Sequence, residues 1–110
     1  MPYLKLGDAK VGNGATYCMY SDRIACTIIK VTAKTITLQE DKAIQLTDPV
    51  IIPGGFAGHC INNNDIKYSY ERDLMGSVKV ARWSAKQQKY IVDGYAPVIA
   101  GRHKFYDYNF

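Results

Sequence analysis

The stretch Pro53-Gly54-Gly55-Phe56-Ala57-Gly58-His59-Cys60 gathers the most chemistry beside the most backbone freedom. Three glycines in five residues allow positive φ or close approach to another group. A bend of this kind can turn backbone N–H groups toward an anion, with Phe56 and His59 presented beside them. The same residues also suit a wide loop between two sheets, with Phe56 and Cys60 packed inward and His59 satisfied locally. Cys60 with His59 or His103 has the residue types of a nucleophile and its base. Neighbours on a strand point to opposite faces, however, so His59 is poorly placed to activate Cys60. The two glutamates, Glu40 and Glu71, show no spacing of a paired acid and base. Cys18, Cys26 and Cys60 lack the close-spaced pairs of a structural zinc site. The expectation is a non-enzymatic protein that needs no metal or cofactor.

An anion-binding set is more coherent. Arg72 ends a run carrying Tyr68 and Tyr70, while Arg102 and His103 precede the aromatic C-terminus. Arginine offers a bidentate fork to phosphate, and an aromatic ring can stack on a base. Phe56, His59, Tyr68, Tyr70, Arg72, Arg102 and His103, with the backbone of Gly54, Gly55 and Gly58, form the expected ligand-binding set. Its natural occupant is a nucleotide-like anionic small molecule. The tyrosines serve equally as barrel core, and the arginines as partners of Asp73 and Asp107. A rival reading takes Lys67, Arg72, Lys79, Arg82, Lys86 and Lys89, interleaved with Tyr and Trp83, as a stacking and phosphate surface for nucleic acid. A third takes the aromatics as anchors on a host protein.

Composition bounds these readings. The 110 residues predict one all-β domain over 1–110. Nine tyrosines favour strands and binding surfaces alike, and a net charge of +4 suits an anionic partner. Three cysteines without short spacing argue against a secreted disulfide framework. No apolar run approaches the ~18 residues of a membrane span, so a cytoplasmic protein with no membrane partner is expected.

The elements that must position these residues read as strands. Residues 15–20 and 24–32 form a hairpin across Ser21-Asp22-Arg23; a turn centred on Asp22 would set Cys18 opposite Cys26. Residues 35–39 alternate as a half-buried strand, and Glu40-Asp41-Lys42 reads as a solvated exit. Residues 43–65 show no clear period beyond a short strand near 50–52. Residues 66–72, 78–83 and 90–92 read as a meander, and 98–100 as a last strand. The ending carries four aromatics in six residues, which reads as a closing strand or an arm packed on another subunit. The predicted architecture is a small antiparallel β-barrel or two-layer sandwich of about six to eight short strands.

Five pieces carry a resemblance: Val11-Gly12-Asn13-Gly14-Ala15-Thr16 leading into Tyr20-Ser21-Asp22-Arg23; Gln39-Glu40-Asp41-Lys42-Ala43; the 54–60 stretch; Tyr70-Glu71-Arg72-Asp73; and the ending from Gly101 to Phe110. In these the chain resembles a family of small proteins encoded by bacteriophages and prophages. The resemblance implies a counter-defence protein in the host bacterial cytoplasm during infection. Its role would be a sponge protein that sequesters a nucleotide-derived immune signal, with binding between subunits of a homo-oligomer. The alternatives it leaves open are a small barrel that binds nucleic acid and an inhibitor of a host defence protein.

Overall fold

Alternating and β-branched runs make nearly every regular element of this chain a strand. The computed structural model describes residues 2–52, 59–60 and 62–106. Six strands close into an antiparallel barrel: β1 (Gly14–Cys18), β2 (Arg23–Val31), β3 (Thr35–Glu40), β8 (Val78–Ser84), β9 (Lys89–Val92) and β10 (Ala96–Ala100). Around the barrel they run β1, β10, β9, β8, β3, β2, and β2 returns to β1. The closing seam pairs Ala15 with Ala100, Thr16 with Ile99 and Tyr17 with Val98. Closure leaves the barrel no open edge. The predicted barrel is thus the form adopted, and the sandwich is not. Among the described residues there is no α-helix, only a single 3₁₀ turn at Asn63–Asp65. Among the described residues no helix is long and apolar enough to cross a membrane.

Alternate residues along each strand point into the barrel, and cross-strand partners such as Ile36 and Ala81 share that face. Ile28, Ile36, Leu38, Ala81, Tyr90, Val92 and Val98 fill it and are fully or almost fully buried. Burying each of the larger aliphatic chains stabilises the fold by about 1.5–3 kcal/mol. Trp83 meets Tyr90 edge-on at 5.1 Å, within the range such pairs prefer.

Between β3 and β8 the chain leaves the barrel as an arm. β4 (Lys42–Gln45) pairs with β7 (Tyr68–Glu71), and β5 (Ile51–Ile52) pairs with β6 (His59–Cys60) beyond it. Within residues 43–65, which lacked a readable period, 43–46, 51–52 and 59–60 are therefore paired. The molecule measures 50 × 29 × 21 Å.

Two local expectations are corrected. The first hairpin has a four-residue loop, 19–22, closed by Met19 N–H donating to the Asp22 carbonyl at 2.8 Å. Cys18 therefore faces Arg23 and Cys26 faces Ala15, so the two thiols are not cross-strand neighbours. Nor is Glu40-Asp41-Lys42 a solvated exit. Glu40 ends β3, Lys42 starts β4, and the Asp41 side chain between them is fully buried.

Through residue 106 the segment after β10 is not a closing strand of the barrel. It runs as a strap over the outer face of β1 and β2. Thr16 Oγ1 donates to the Gly101 carbonyl and accepts from His103 N–H, each at 2.8 Å. Arg23 and Phe105 exchange backbone hydrogen bonds at 2.9 and 3.1 Å. These contacts explain why Thr16, although on the outside of the barrel wall, is fully buried.

Candidate ligand-binding cleft

The strap, the first hairpin loop and the N-terminal segment converge around a cleft of about 730 Å³. Tyr3, Cys18 to Arg23, Asn64, Pro97, Ile99 and Phe105 line it. Each is placed by a distinct piece of backbone. Tyr3 forms an isolated bridge with Ile99, and Leu4 N–H donates to the Val98 carbonyl at 3.0 Å. The register of β1 and β2 sets Cys18 opposite Arg23, and the bridge to Phe105 fixes the strap beside them. The volume falls within the range of small-molecule sites.

Charge and aromatic surface meet here. The Arg23 guanidinium carbon stands 5.9 Å from the centre of the Phe105 ring, at the outer limit of a cation–π contact. Lys89 Nζ lies 4.2 Å from the centre of the Tyr3 ring. Tyr20 stacks on Tyr95 with centroids 5.5 Å apart and planes 19° apart, yet Tyr20 is 94% exposed. A guanidinium held over one ring, with other ring faces open nearby, can bind an anionic group and stack a planar one. Burial pushes the Cys18 thiol above its ordinary pKa, against the opposing charge and hydrogen bond of Arg23. A thiol held protonated is a poor nucleophile.

The residues expected from sequence fall elsewhere. Gly54, Gly55, Phe56 and Gly58 lie outside the described residues. His59 is placed only by its backbone, opposite Ile52 in β6. Tyr68 and Tyr70 share one face of β7, and Arg72 is exposed just beyond it. Tyr70 Oη accepts from Lys104 N–H at 2.8 Å, which ties Tyr70 to the strap that carries Arg102 and His103. There they are structural. Arg102 Nε donates to Asp41 Oδ2 at 2.6 Å, and its Nη2 donates to Thr27 Oγ1 at 2.9 Å. Thr27 Oγ1 in turn donates to Asp41 Oδ1 at 2.6 Å. A buried carboxylate is thereby paired and hydrogen-bonded, as burial requires. Arg102 is committed to Asp41 rather than to Asp73, and Asp107 lies outside the described residues. His103 is exposed and does not line the cleft.

Sequence reasoning missed Tyr3, Cys18, Tyr20, Arg23 and Phe105 as a group. The one local signal was the Tyr20-Ser21-Asp22-Arg23 loop, which reads as an ordinary turn. Of the basic residues between 66 and 92, Lys79 is paired with Asp93 at 2.9 Å and Lys89 is held over Tyr3. Among the described residues no three of His, Cys, Asp and Glu cluster as metal ligands.

The chain matches no protein-family model, no curated protein and no solved structure.

Proposed function

We propose that this chain is a non-enzymatic binding protein that holds a nucleotide-like anionic ligand in the cleft between the first hairpin loop and the strap. The observation that carries the reading is Arg23 poised over Phe105, with Tyr3 on the same cleft. Arg23 supplies charge for a phosphate, and the rings supply faces for a base. The protonated Cys18 thiol favours binding without turnover. The resemblance to phage-encoded proteins extends this to a biological role, the sequestration of a nucleotide-derived immune signal in the infected host's cytoplasm. The ligand-binding residues of this reading are Tyr3, Tyr20, Arg23 and Phe105, in place of the set expected from sequence.

A thermal-shift screen tests the class of ligand, using cyclic di- and trinucleotides, ADP-ribose derivatives and short oligonucleotides. A ligand at 100 times its Kd adds ~2.7 kcal/mol to the folded state. For a domain of this size that is on the order of 10 °C. No shift with any small nucleotide overturns the reading. A second reading, single-stranded nucleic acid, is favoured by the exposed Tyr20–Tyr95 stack. It predicts shifts with oligonucleotides alone and a steep loss of binding with salt.

A further inference from the structure

Three consecutive asparagines, Asn62, Asn63 and Asn64, follow β6, and their amides are used differently. The Asn62 amide is held at both ends. Its Oδ1 accepts from Val50 N–H at 2.7 Å, and its Nδ2 donates to the Asp48 carbonyl at 2.9 Å. Asn63 is buried, and its Nδ2 donates to the Tyr106 carbonyl at 2.7 Å. These bonds tie the 3₁₀ turn to the 48–50 loop on one side and to the strap on the other. Asn64 and Phe105 each stand one position from the Asn63–Tyr106 contact, and both line the cleft. Asn64 is exposed, and among the described residues its amide has no hydrogen-bond partner.

We propose that Asn64 reads the base of a nucleotide held in the cleft, by pairing its amide with the base's Watson–Crick edge. The inference rests on the ligand reading above and names the group that the site selects. Arg23 recognises charge, and the rings of Tyr3 and Phe105 recognise planarity. Any aromatic phosphate would satisfy both. A carboxamide carries an acceptor and a donor side by side in one plane. Each standard base presents an adjacent donor and acceptor on its Watson–Crick edge, so one amide can make a two-point pair with it. Asn64 thus adds the discrimination that the charge and the rings lack. Its backbone is also fixed in advance by Asn62 and Asn63, so binding has only one side chain left to order there.

Calorimetric titration of the full chain with nucleotides that differ in one edge group is the test. AMP and purine riboside monophosphate differ only in the exocyclic amine. Wild type is expected to bind AMP about three- to tenfold more tightly, the worth of one neutral hydrogen bond. Asn64→Leu keeps the branched shape and removes the polarity. It should bind the two alike, with an unchanged melting temperature because the residue is exposed. Asn64→Asp presents acceptors alone and should raise the preference for GMP over IMP, since guanine sets two donors side by side and hypoxanthine does not. Taking the ratio cancels the repulsion between the new carboxylate and either phosphate. Equal binding of AMP and the purine analogue by wild type overturns the proposal and leaves the ligand reading intact. So does a preference for AMP that survives in Asn64→Leu, or a ratio of GMP to IMP that Asn64→Asp does not move. AMP that fails to bind at millimolar concentration also overturns it, and the cyclic nucleotides of the thermal-shift panel then decide the ligand reading separately.

Discussion

Arg102 Nε lies 2.6 Å from Asp41 Oδ2, joining the strap to the root of the arm across 61 positions of sequence. The two ends of this pair are unequal. The Asp41 side chain is fully buried, whereas Arg102 retains about a third of its exposure. Arg102→Met leaves a buried carboxylate without its counter-charge and is expected to cost about 3 kcal/mol. Asp41→Asn leaves a cation that reaches water and should cost roughly 1–2 kcal/mol. Urea denaturation of both variants checks the order; equal losses would mean that burial of Asp41 does not govern the pair.

The strap is held independently by Thr16. Thr16→Val keeps the shape and deletes both hydrogen bonds, leaving His103 N–H and the Gly101 carbonyl without that partner. The expected loss is about 1–2 kcal/mol. Hydrogen exchange at the His103 amide should accelerate well before exchange in the barrel strands does.

Gly76 marks where the arm rejoins the barrel. A Cβ added there would lie 2.1 Å from the Glu40 carbonyl oxygen, which is backbone and cannot swing aside. Gly76→Ala should destabilise by about 3 kcal/mol. Gly14→Ala instead meets the Arg102 side chain, 2.7 Å from Cγ and 2.8 Å from Nη1; Asp41 and Thr27 hold that guanidinium, so making room strains the pair and the cost should be of similar size. Denaturation midpoints of the two variants decide the comparison.

Stability should fall in alkali. Burial, aided by the negative charges of Glu40 and Asp41, pushes the Cys26 thiol from 9.0 to about 12. Burial likewise raises the Tyr17 phenol from 10.0 to about 12. Both groups hold their protons more tightly when folded. Their contribution is complete below the unfolded values and is lost as pH climbs from about 9 toward 12. For Cys26 the loss is about 1 kcal/mol by pH 10. Denaturation at pH 7, 9 and 10 checks the slope, and Cys26→Ala should flatten it.

The barrel was legible in the sequence because its strands announce themselves locally. Residues 35–39 alternate, and the four-residue loop at 19–22 moved a register without moving a strand; the meander did not hold, because 68–71 pairs with β4 in the arm while 78–84 pairs with β3 and β9. The fate of Asp41 was not legible. A carboxylate between Glu40 and Lys42 looks solvated until Arg102, far along the chain, is folded over it. The cleft was hidden for the same reason. Tyr3, Arg23 and Phe105 come from the beginning, the first hairpin and the end of the chain, and no spacing rule links them. Arg102 and His103 were recognised as a site, yet their contacts hold the strap rather than line the cleft. The glycine stretch from Pro53 to Gly58 lies outside the described residues, so the expectation placed on Phe56 and its glycines stands apart from this comparison.

The most direct test of the cleft is equilibrium titration of the strongest hit from the nucleotide panel into wild type, Arg23→Ala and Arg72→Ala. Arg23 lines the cleft, and Arg72 stands exposed beyond β7. Loss of a charge-assisted contact is worth about 1.5–3 kcal/mol, or at least tenfold in Kd. The account predicts that loss in Arg23→Ala, with an unchanged unfolding midpoint and with Arg72→Ala binding as wild type does. Full binding by Arg23→Ala, with the loss appearing in Arg72→Ala instead, would contradict it and return the site to the face of β7.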